Sequence, residues 1–324
     1  MFLKRLLMAA AFAAVTLPAA AFEPTNPECI APANPGGGWD FTCRTFGRLL
    51  SEEKLVPGTV QVTNMPGAVG ALAFANVASK RNDDPNLIVA TSTVAMAQIA
   101  QGKYPAGVDA MRWVGMLGAD VGAVLVPKDS EFGSLDALLE AMQTNPSGII
   151  AGGSSSIGGW DHLRLLMLAQ EAGVPMEKLK DIRWVQFEGG GDAVTQLLGG
   201  QLNVVLTDVG EIGGFIQSGD VNALAVMSQD RLEAYPEVQT AQEQGIDVEG
   251  YNWRGVYVGG EVSDEAYQGW VDIMQKLYET DAWKEAATQS GLTPIWRGGD
   301  EFEAFVRESE TRMEELSRAI GVIQ

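Results

Sequence analysis

"PANPGGGWDFTCR", residues 32–44, sets three consecutive glycines between an apolar run, CIAP, and a helix-like run, FTCRTFGRLL. In an open α/β sheet such a strand-to-helix turn lies at the carboxyl end of a strand, where ligands bind. Glycine lets the backbone approach a ligand and adopt positive φ. The helix that follows offers unpaired N–H groups and about half a positive charge. A tight turn with no ligand would use the same residues, so one loop does not decide the matter. The arrangement recurs. NMPGAVGALAFANVA (64–78) puts Asn64, Gly67 and Gly70 at a second junction, and AGGSSSIGGWDHL (151–163) puts Ser154, Ser155 and Ser156 between glycine pairs before a third helix. FEGGGDAVTQLL (187–198) repeats the pattern with Gly189, Gly190 and Gly191. Glycine-rich helix entries in both halves of the chain fit opposing walls of one cleft. Backbone N–H and hydroxyl donors of this kind suit carboxylates without lysine or arginine.

The N-terminus has the layout of a cleaved secretory signal. Lys4 and Arg5 precede an apolar stretch from Leu6 to Leu17, followed by Pro18 and Ala19-Ala20-Ala21. The apolar part is too short to span a bilayer, and cleavage is expected after Ala21. An uncleaved anchor is the competing reading. No later stretch is apolar and long enough to span, so a soluble, exported mature protein is expected. The remaining residues, about 300, suggest two domains, and a 46% hydrophobic content is ordinary for a chain with a sizeable core. There are 42 acidic against 22 basic residues, a net charge of -20. That surface argues against nucleic acid and against anionic membranes as partners. A cleft can still be locally positive. The two cysteines, Cys29 and Cys43, both follow the signal and should meet an oxidising compartment, which predicts a disulfide over two free thiols.

Short apolar runs alternate with helix-like runs, which predicts an α/β protein. Strands are expected at 28–32, 59–63, 87–91, 112–117, 122–126, 148–151, 184–187, 203–207, 223–227 and 255–258. Their continuous apolar character fits strands covered on both faces. Ser134 is placed to cap LDALLEAM, and WDHLRLLMLAQEA stops at Gly173. Asp192 is expected to cap AVTQLL, Ser263 the helix bearing Tyr267, Trp270, Val271, Met274 and Leu277, and Asp300 with Glu303 a last helix bearing Phe302, Phe305, Val306, Met313 and Leu316. These aromatic stripes read as core. With no linker or repeat visible, the chain is expected to cross between domains twice, near 122–130 and 223–231. Domain 1 is then 22–122 and 229–324, and domain 2 is 123–228.

Enzyme signatures fail. GxxxxGK[ST] is absent, GxGxxG breaks at Val194, and GxSxG does not occur around Ser154–Ser156. A single histidine, His162, excludes a multi-histidine zinc site, and two cysteines at this spacing are not a metal site. A hydrolase would have to use Ser154–Ser156 with His162. One turn into the helix entry, that histidine suits local packing or a neutral ligand contact better than a catalytic base. No catalysis, cofactor or metal is expected.

The segments CIAPANPGGGWDFTCR, NMPGAVGA, GSSSIGGWDHL and GGGDAVTQLLGGQLNVVLTD, taken in order over essentially the whole mature chain, resemble the periplasmic receptors of tripartite tricarboxylate transporters, the Bug-type extracytoplasmic solute receptors. The first segment, with Cys29 and Cys43 flanking PGGG, looks most like the citrate and tricarboxylate branch. The resemblance implies a Venus-flytrap fold, type II-like, of two α/β domains joined by two crossing strands. It implies a di- or tricarboxylate held in the interdomain cleft by amides, hydroxyls and ordered water, and delivery by a monomeric periplasmic receptor to a two-component integral membrane permease. Carried over by position, one wall is Pro35, Gly36, Gly37, Gly38 and Asp40, near Asn64 and Gly67. The other is Ser154, Ser155, Ser156 and Gly159 beside His162. Gly189, Gly190 and Gly191 add a further wall, with Thr207 and Asp208 ending the strand behind it. Asp40 is expected to cap the first helix, and Asp208 to accept hydrogen bonds from loop amides or a ligand hydroxyl. Met65 stands where many members have a basic residue, and NDDPN (82–86) replaces a common proline-aspartate-glycine turn. A receptor of the same fold for an aromatic or amino-acid carboxylate, and a sensor domain, are the alternatives.

Overall fold

The computed structural model describes residues 22–187 and 189–324; the expected export signal, 1–21, lies outside the described residues. The strands run in two half-sheets that share one strand. In the first, β1 (Glu28–Ala31) pairs in parallel with β2 (Gln61–Asn64) and β3 (Leu87–Ser92). β9 (Tyr251–Gly259) joins β3 antiparallel and also pairs with β4 (Met111–Pro127), which β10 (Thr293–Gly298) flanks on its other side. In the second half-sheet β7 (Val204–Asp208) and β8 (Val221–Val226) pair antiparallel with β4, and β5 (Ile150–Gly153) lies parallel between β7 and β6 (Arg183–Gln186).

β4 is one strand of 17 residues where the sequence suggested two, at 112–117 and 122–126. The residues between them, Gly118-Ala119-Asp120-Val121, read as a break because glycine and aspartate are poor strand formers. Pairing on both sides overrides that preference. Asp120 and Val121 still pair with Asn252 and Tyr251 of β9, whereas Gly122 already pairs with Asp208 of β7. The strand therefore changes sheets at residues 121–122. The chain returns from within the expected stretch, 223–231. β8 ends at Val226 within the second half-sheet, and the chain comes back through 227–250, where the amides of Met227 and Gly122 donate to Gly122 and Gly250 carbonyls respectively.

Ten α-helices among the described residues cover the faces of the sheet. α1 (Gly38–Glu52), α8 (Asp264–Glu279) and α9 (Asp281–Gln289) bury one face of the first half-sheet around Phe46, Trp270 and Trp283. The opposite face carries α2 (Ala71–Lys80), α3 (Thr93–Ala100) and α10 (Gly299–Ala319), and this core continues without interruption under α4 (Leu135–Thr144) and α5 (Trp160–Glu171) of the second half. α6 (Gly190–Leu198) and α7 (Val209–Ser218) close the last face around Val194, Leu197 and Ile212. The aromatic stripes of α8 and α10 are core, with Tyr267, Trp270 and Phe302 buried and Trp253 meeting Phe302 edge-on at 5.1 Å.

Ser134 and Ser263 cap α4 and α8, accepting from the amides of Ala137 and Ala266. The acids do not cap. Asp192 and Asp300 sit inside the first turns of α6 and α10, and Gly189 and Gly298 hold the cap positions. A Cβ on Gly190, the first residue of α6, would lie 2.4 Å from Thr207 Oγ1, and one on the Gly298 cap would lie 2.1 Å from the Trp296 ring, so both positions must be glycine, and the acids still face the positive helix end.

Cys29 of β1 and Cys43 of α1 are bridged, with Cα atoms 5.6 Å apart and both side chains fully buried. The bridge closes a separation of 14 residues around the PGGG loop. Replacing both cysteines by alanine should lower the unfolding free energy by about 3 kcal/mol, read as a lower urea midpoint. Identical midpoints for oxidised wild type and the double variant would refute this role.

Candidate functional site

The carboxyl ends of β1, β2 and β3 carry the first wall. Pro35, Gly36 and Gly38 are exposed, and Gly36, not Gly37, takes the left-handed conformation, with φ +86°. Gly37 is held at the cap with φ -74°, its N–H donating to the Asn34 carbonyl at 3.0 Å. Asp40 is the third helical residue and does not cap. Its carboxylate reaches back to the Gly36 N–H (2.8 Å) and also accepts from Arg44 Nε (2.9 Å) and Asn64 Nδ2 (2.7 Å). Asn64 in turn donates to the Ala33 carbonyl. The Arg44 hydrogen bond, then the Gly36 amide, hold the Asp40 carboxyl down at about 2, so it is ionised throughout the physiological range. With Asp40 fixing the loop, the N–H groups of Gly38, Trp39 and Asp40 have no acceptor among the described residues. Beside them runs the loop at Gly67 (φ +148°), where Ala68 and Val69 also have positive φ and Tyr104 holds the Val69 carbonyl at 2.7 Å.

The second wall sits at the carboxyl ends of β5, β6 and β7. Ser154 donates through both N–H and Oγ to Asp161, and Ser155 Oγ accepts the first-turn amides of Asp161 and His162. Two of the three serines thus close the entry to α5. Ser156 and Ile157 form the exposed tip, and Gly159 holds the cap. His162 is 3% exposed, stacked near Trp184, and accepts the Gly158 N–H at Nδ1 (2.9 Å). That bond puts the neutral ring's proton on Nε2, and burial pushes the pKa down to about 4. No serine hydroxyl is hydrogen-bonded to the His162 imidazole among the described residues. From the first half, Gln101 at the end of α3 donates to the Gly158 carbonyl at 2.6 Å, tying the serine loop across the cleft. Gly191 is open, whereas the Gly190 N–H donates to the Glu211 carboxylate of α7.

At the base of the cleft lies a network that the sequence reading missed. Arg164 of α5 is fully buried between Asp161 and Asp208, bonded to Asp208 at 2.7 Å and to the Gly250 carbonyl at 3.2 Å. Asp208 is therefore the partner of a buried cation, not an acceptor for loop amides. Its other oxygen accepts from Asn252 Nδ2 (2.8 Å), and Asn252 Oδ1 accepts from Arg254 (2.7 Å). Asp120 accepts the Gly210 N–H at 3.0 Å. Burial first, then the neighbouring Asp208 charge, push the Asp120 carboxyl up to about 7. The one available signal was an arginine inside LRLLMLA, an otherwise apolar helical run. The Thr207 hydroxyl beside this network is buried with no partner among the described residues.

Two outcomes test this geometry. Gly36→Val should cost about 1–2 kcal/mol of stability through left-handed strain alone, since nothing lies within 4 Å of its added Cβ. The same change should misplace the Gly38–Asp40 amides, read as lost ligand binding by calorimetry on folded protein. The second concerns pH. The unfolded Asp120 carboxyl titrates near 3.8 and the folded one near 7, so its contribution is complete below about 4 and is lost as pH rises through 7. Asp120→Asn should flatten the fall in urea midpoint between pH 5 and pH 8. An unchanged slope would show that other groups set it.

Residues 49–322 match the family described as tripartite tricarboxylate transporter family receptor. Protein BugT of Bordetella pertussis is 27% identical over 308 residues, which cover 93% of this chain and 89% of that one. A TctC solute binding protein from Polaromonas, solved without ligand, superposes with a TM-score of 0.80 at 23% identity over 91% of this chain and 99% of that one. Two Rhodopseudomonas palustris structures share the fold. MatC with bound malate has a TM-score of 0.61 at 19% identity, covering 90% of this chain and 98% of its own. Rpa4515 with adipate has 0.63 at 18%, covering 92% and 98%. With the family match extending through both half-sheets and the fold shared at this level, the chain belongs to the tripartite tricarboxylate transporter receptor family.

Proposed function

We propose that the protein captures a small di- or tricarboxylate, citrate-like in size, between its two halves and delivers it to a two-component membrane permease from the periplasmic side. The single observation that carries this reading is the trio of unengaged amides at Gly38, Trp39 and Asp40, at the N-terminus of a long helix. A helix end of this kind attracts an anion by directed hydrogen bonds and by its dipole. Malate and adipate, carried by two proteins of the same fold, are both dicarboxylates. No helix among the described residues is long and apolar enough to cross a membrane, which suits a receptor that works beside its permease.

In this reading 22–122 with 229–324 forms one domain and 123–228 the other, and they move about the β4 crossover and the returning 227–250 segment. His162 acts from beneath the serine loop by holding Gly158, and it remains neutral where the receptor works. A thermal-shift screen against di-, tri- and monocarboxylates is the test. An acid present at 100 times its Kd should add about 2.7 kcal/mol of stability. A panel in which no carboxylate raises the melting temperature would overturn the proposal.

A further inference from the structure

The glycine entry to α6 is already occupied by an acid of the protein itself. The Gly190 N–H, in the first turn of a nine-residue helix, donates to Glu211 from the first turn of α7. Both helices start at the carboxyl edge of parallel strands, the edge that also carries the serine loop. A Cβ at Gly190 would lie 2.4 Å from Thr207 Oγ1 and 2.6 Å from Glu211 Oε2, so only glycine lets the Glu211 carboxylate reach the α6 amide. Thr207 is fully buried, and its Oγ1 has no partner among the described residues. Glu211 itself is exposed to solvent. Behind it stand Asp120, Asp161 and Asp208, with Arg164 and Arg254 as the cations among them. Burial and the Asp208 and Asp161 charges raise the Glu211 pKa, against the pull of the Gly190 amide and Arg164.

A second ligand carboxylate placed here would meet Glu211 instead of a free amide. A hydrogen-bond donor placed here would meet an acceptor, the Glu211 carboxylate. We infer that Glu211 is a specificity residue that closes the α6 amide to ligand carboxylates and instead receives a donor substituent, so that the ligand is a carboxylate bearing a hydroxyl or ammonium group. This inference rests on the receptor reading above, with the ligand's carboxylate on the α1 amides and its donor on the α6–α7 side. A site built to accept from a substrate OH or NH rejects the analogue that lacks it, because the site's own polar group is then left unpaired.

The test uses matched acids: malate and aspartate against succinate, and citrate against tricarballylate, which lacks only the hydroxyl. Calorimetry is run on wild type, Glu211→Gln and Glu211→Ala, each checked by circular dichroism. Glu211→Gln keeps an oxygen for the Gly190 N–H and so protects the local fold. Wild type should bind the donor-bearing member of at least one pair about tenfold or more tightly than its partner. Glu211→Ala should bring that ratio close to one, partly by improving binding of the acid without the donor at the freed amide. Glu211→Gln should lose more for aspartate than for malate, because the carboxamide still accepts from a hydroxyl but no longer offers a charge to an ammonium. Acids that bind wild type with no difference within any pair, or a ratio that survives in folded Glu211→Ala, overturn this inference and leave the receptor reading standing. Absence of binding by every acid overturns both.

Discussion

The fold turns on one buried cation. Arg164 has no exposed surface, and it lies where β4 leaves one half-sheet for the other. A Cβ on Gly122 would sit 2.4 Å from its guanidinium, so the crossing strand must be bare at that residue. The same guanidinium binds Asp161 from its own helix, Asp208 from the end of β7 and the Gly250 carbonyl from the returning chain. One side chain thereby joins the strand that crosses, the segment that returns and two walls of the cleft. A hydrophobic residue in its place could pack as well, but removing the cation alone would strand two carboxylates away from water, a loss of about 3–5 kcal/mol for a buried pair. Its use is to fix geometry more than to add stability.

Around that point the protein handles its negative charge with helix ends. Asp40, Asp161 and Glu211 each accept an N–H at a glycine- or serine-rich helix entry, at Gly36, Ser154 and Gly190. Internal carboxylates thus shape the loops, and the amides they leave open are few and defined. An acidic chain can in this way present free amides to an anion, as the proposed function requires. The net charge of -20 describes the whole surface, whereas a ligand feels the nearest few dipoles across a distance shorter than the screening length of about 8 Å.

The cleft is tied shut at one side by Gln101, which binds the Gly158 carbonyl, and by the C-terminal segment, whose Val322 lies against Gly158. The core under α3, α5 and α10 is continuous across the two half-sheets. An opening of the kind proposed would slide this shared face or bend β4 near residues 120–122, where Asp120, Asn252 and Asp208 meet. Charged side chains at a bend are sensitive to small changes in separation because their interaction falls off with distance in a poorly solvated place.

The sequence by itself determined what depends on local pattern. Continuous apolar runs gave β1, β3, β7 and their neighbours, Ser134 and Ser263 marked two helix starts, and export chemistry foretold the Cys29–Cys43 bridge. The glycine-rich loops were legible as helix entries because few other uses require glycine before a helical run. The sequence did not reveal α3, whose TVAMAQIA is apolar on every side, or α7, whose three glycines read as a loop, or β10, where Pro294 disguised a strand. α3 is buried on nearly every side, and pairing with β4 holds β10 as a strand despite its proline. The capping assignments of Asp40 and Asp192, and the loop-amide partner expected for Asp208, failed for a related reason. Local spacing shows that an acid is near a helix start, but which donor it accepts depends on what the fold brings to it: Gly36 and Asn64 in one case, and in another Arg164, 44 residues away in sequence. Only tertiary structure decided which amides remain free for a ligand, because a free donor is defined by the absence of an acceptor, and acceptors come from anywhere in the chain.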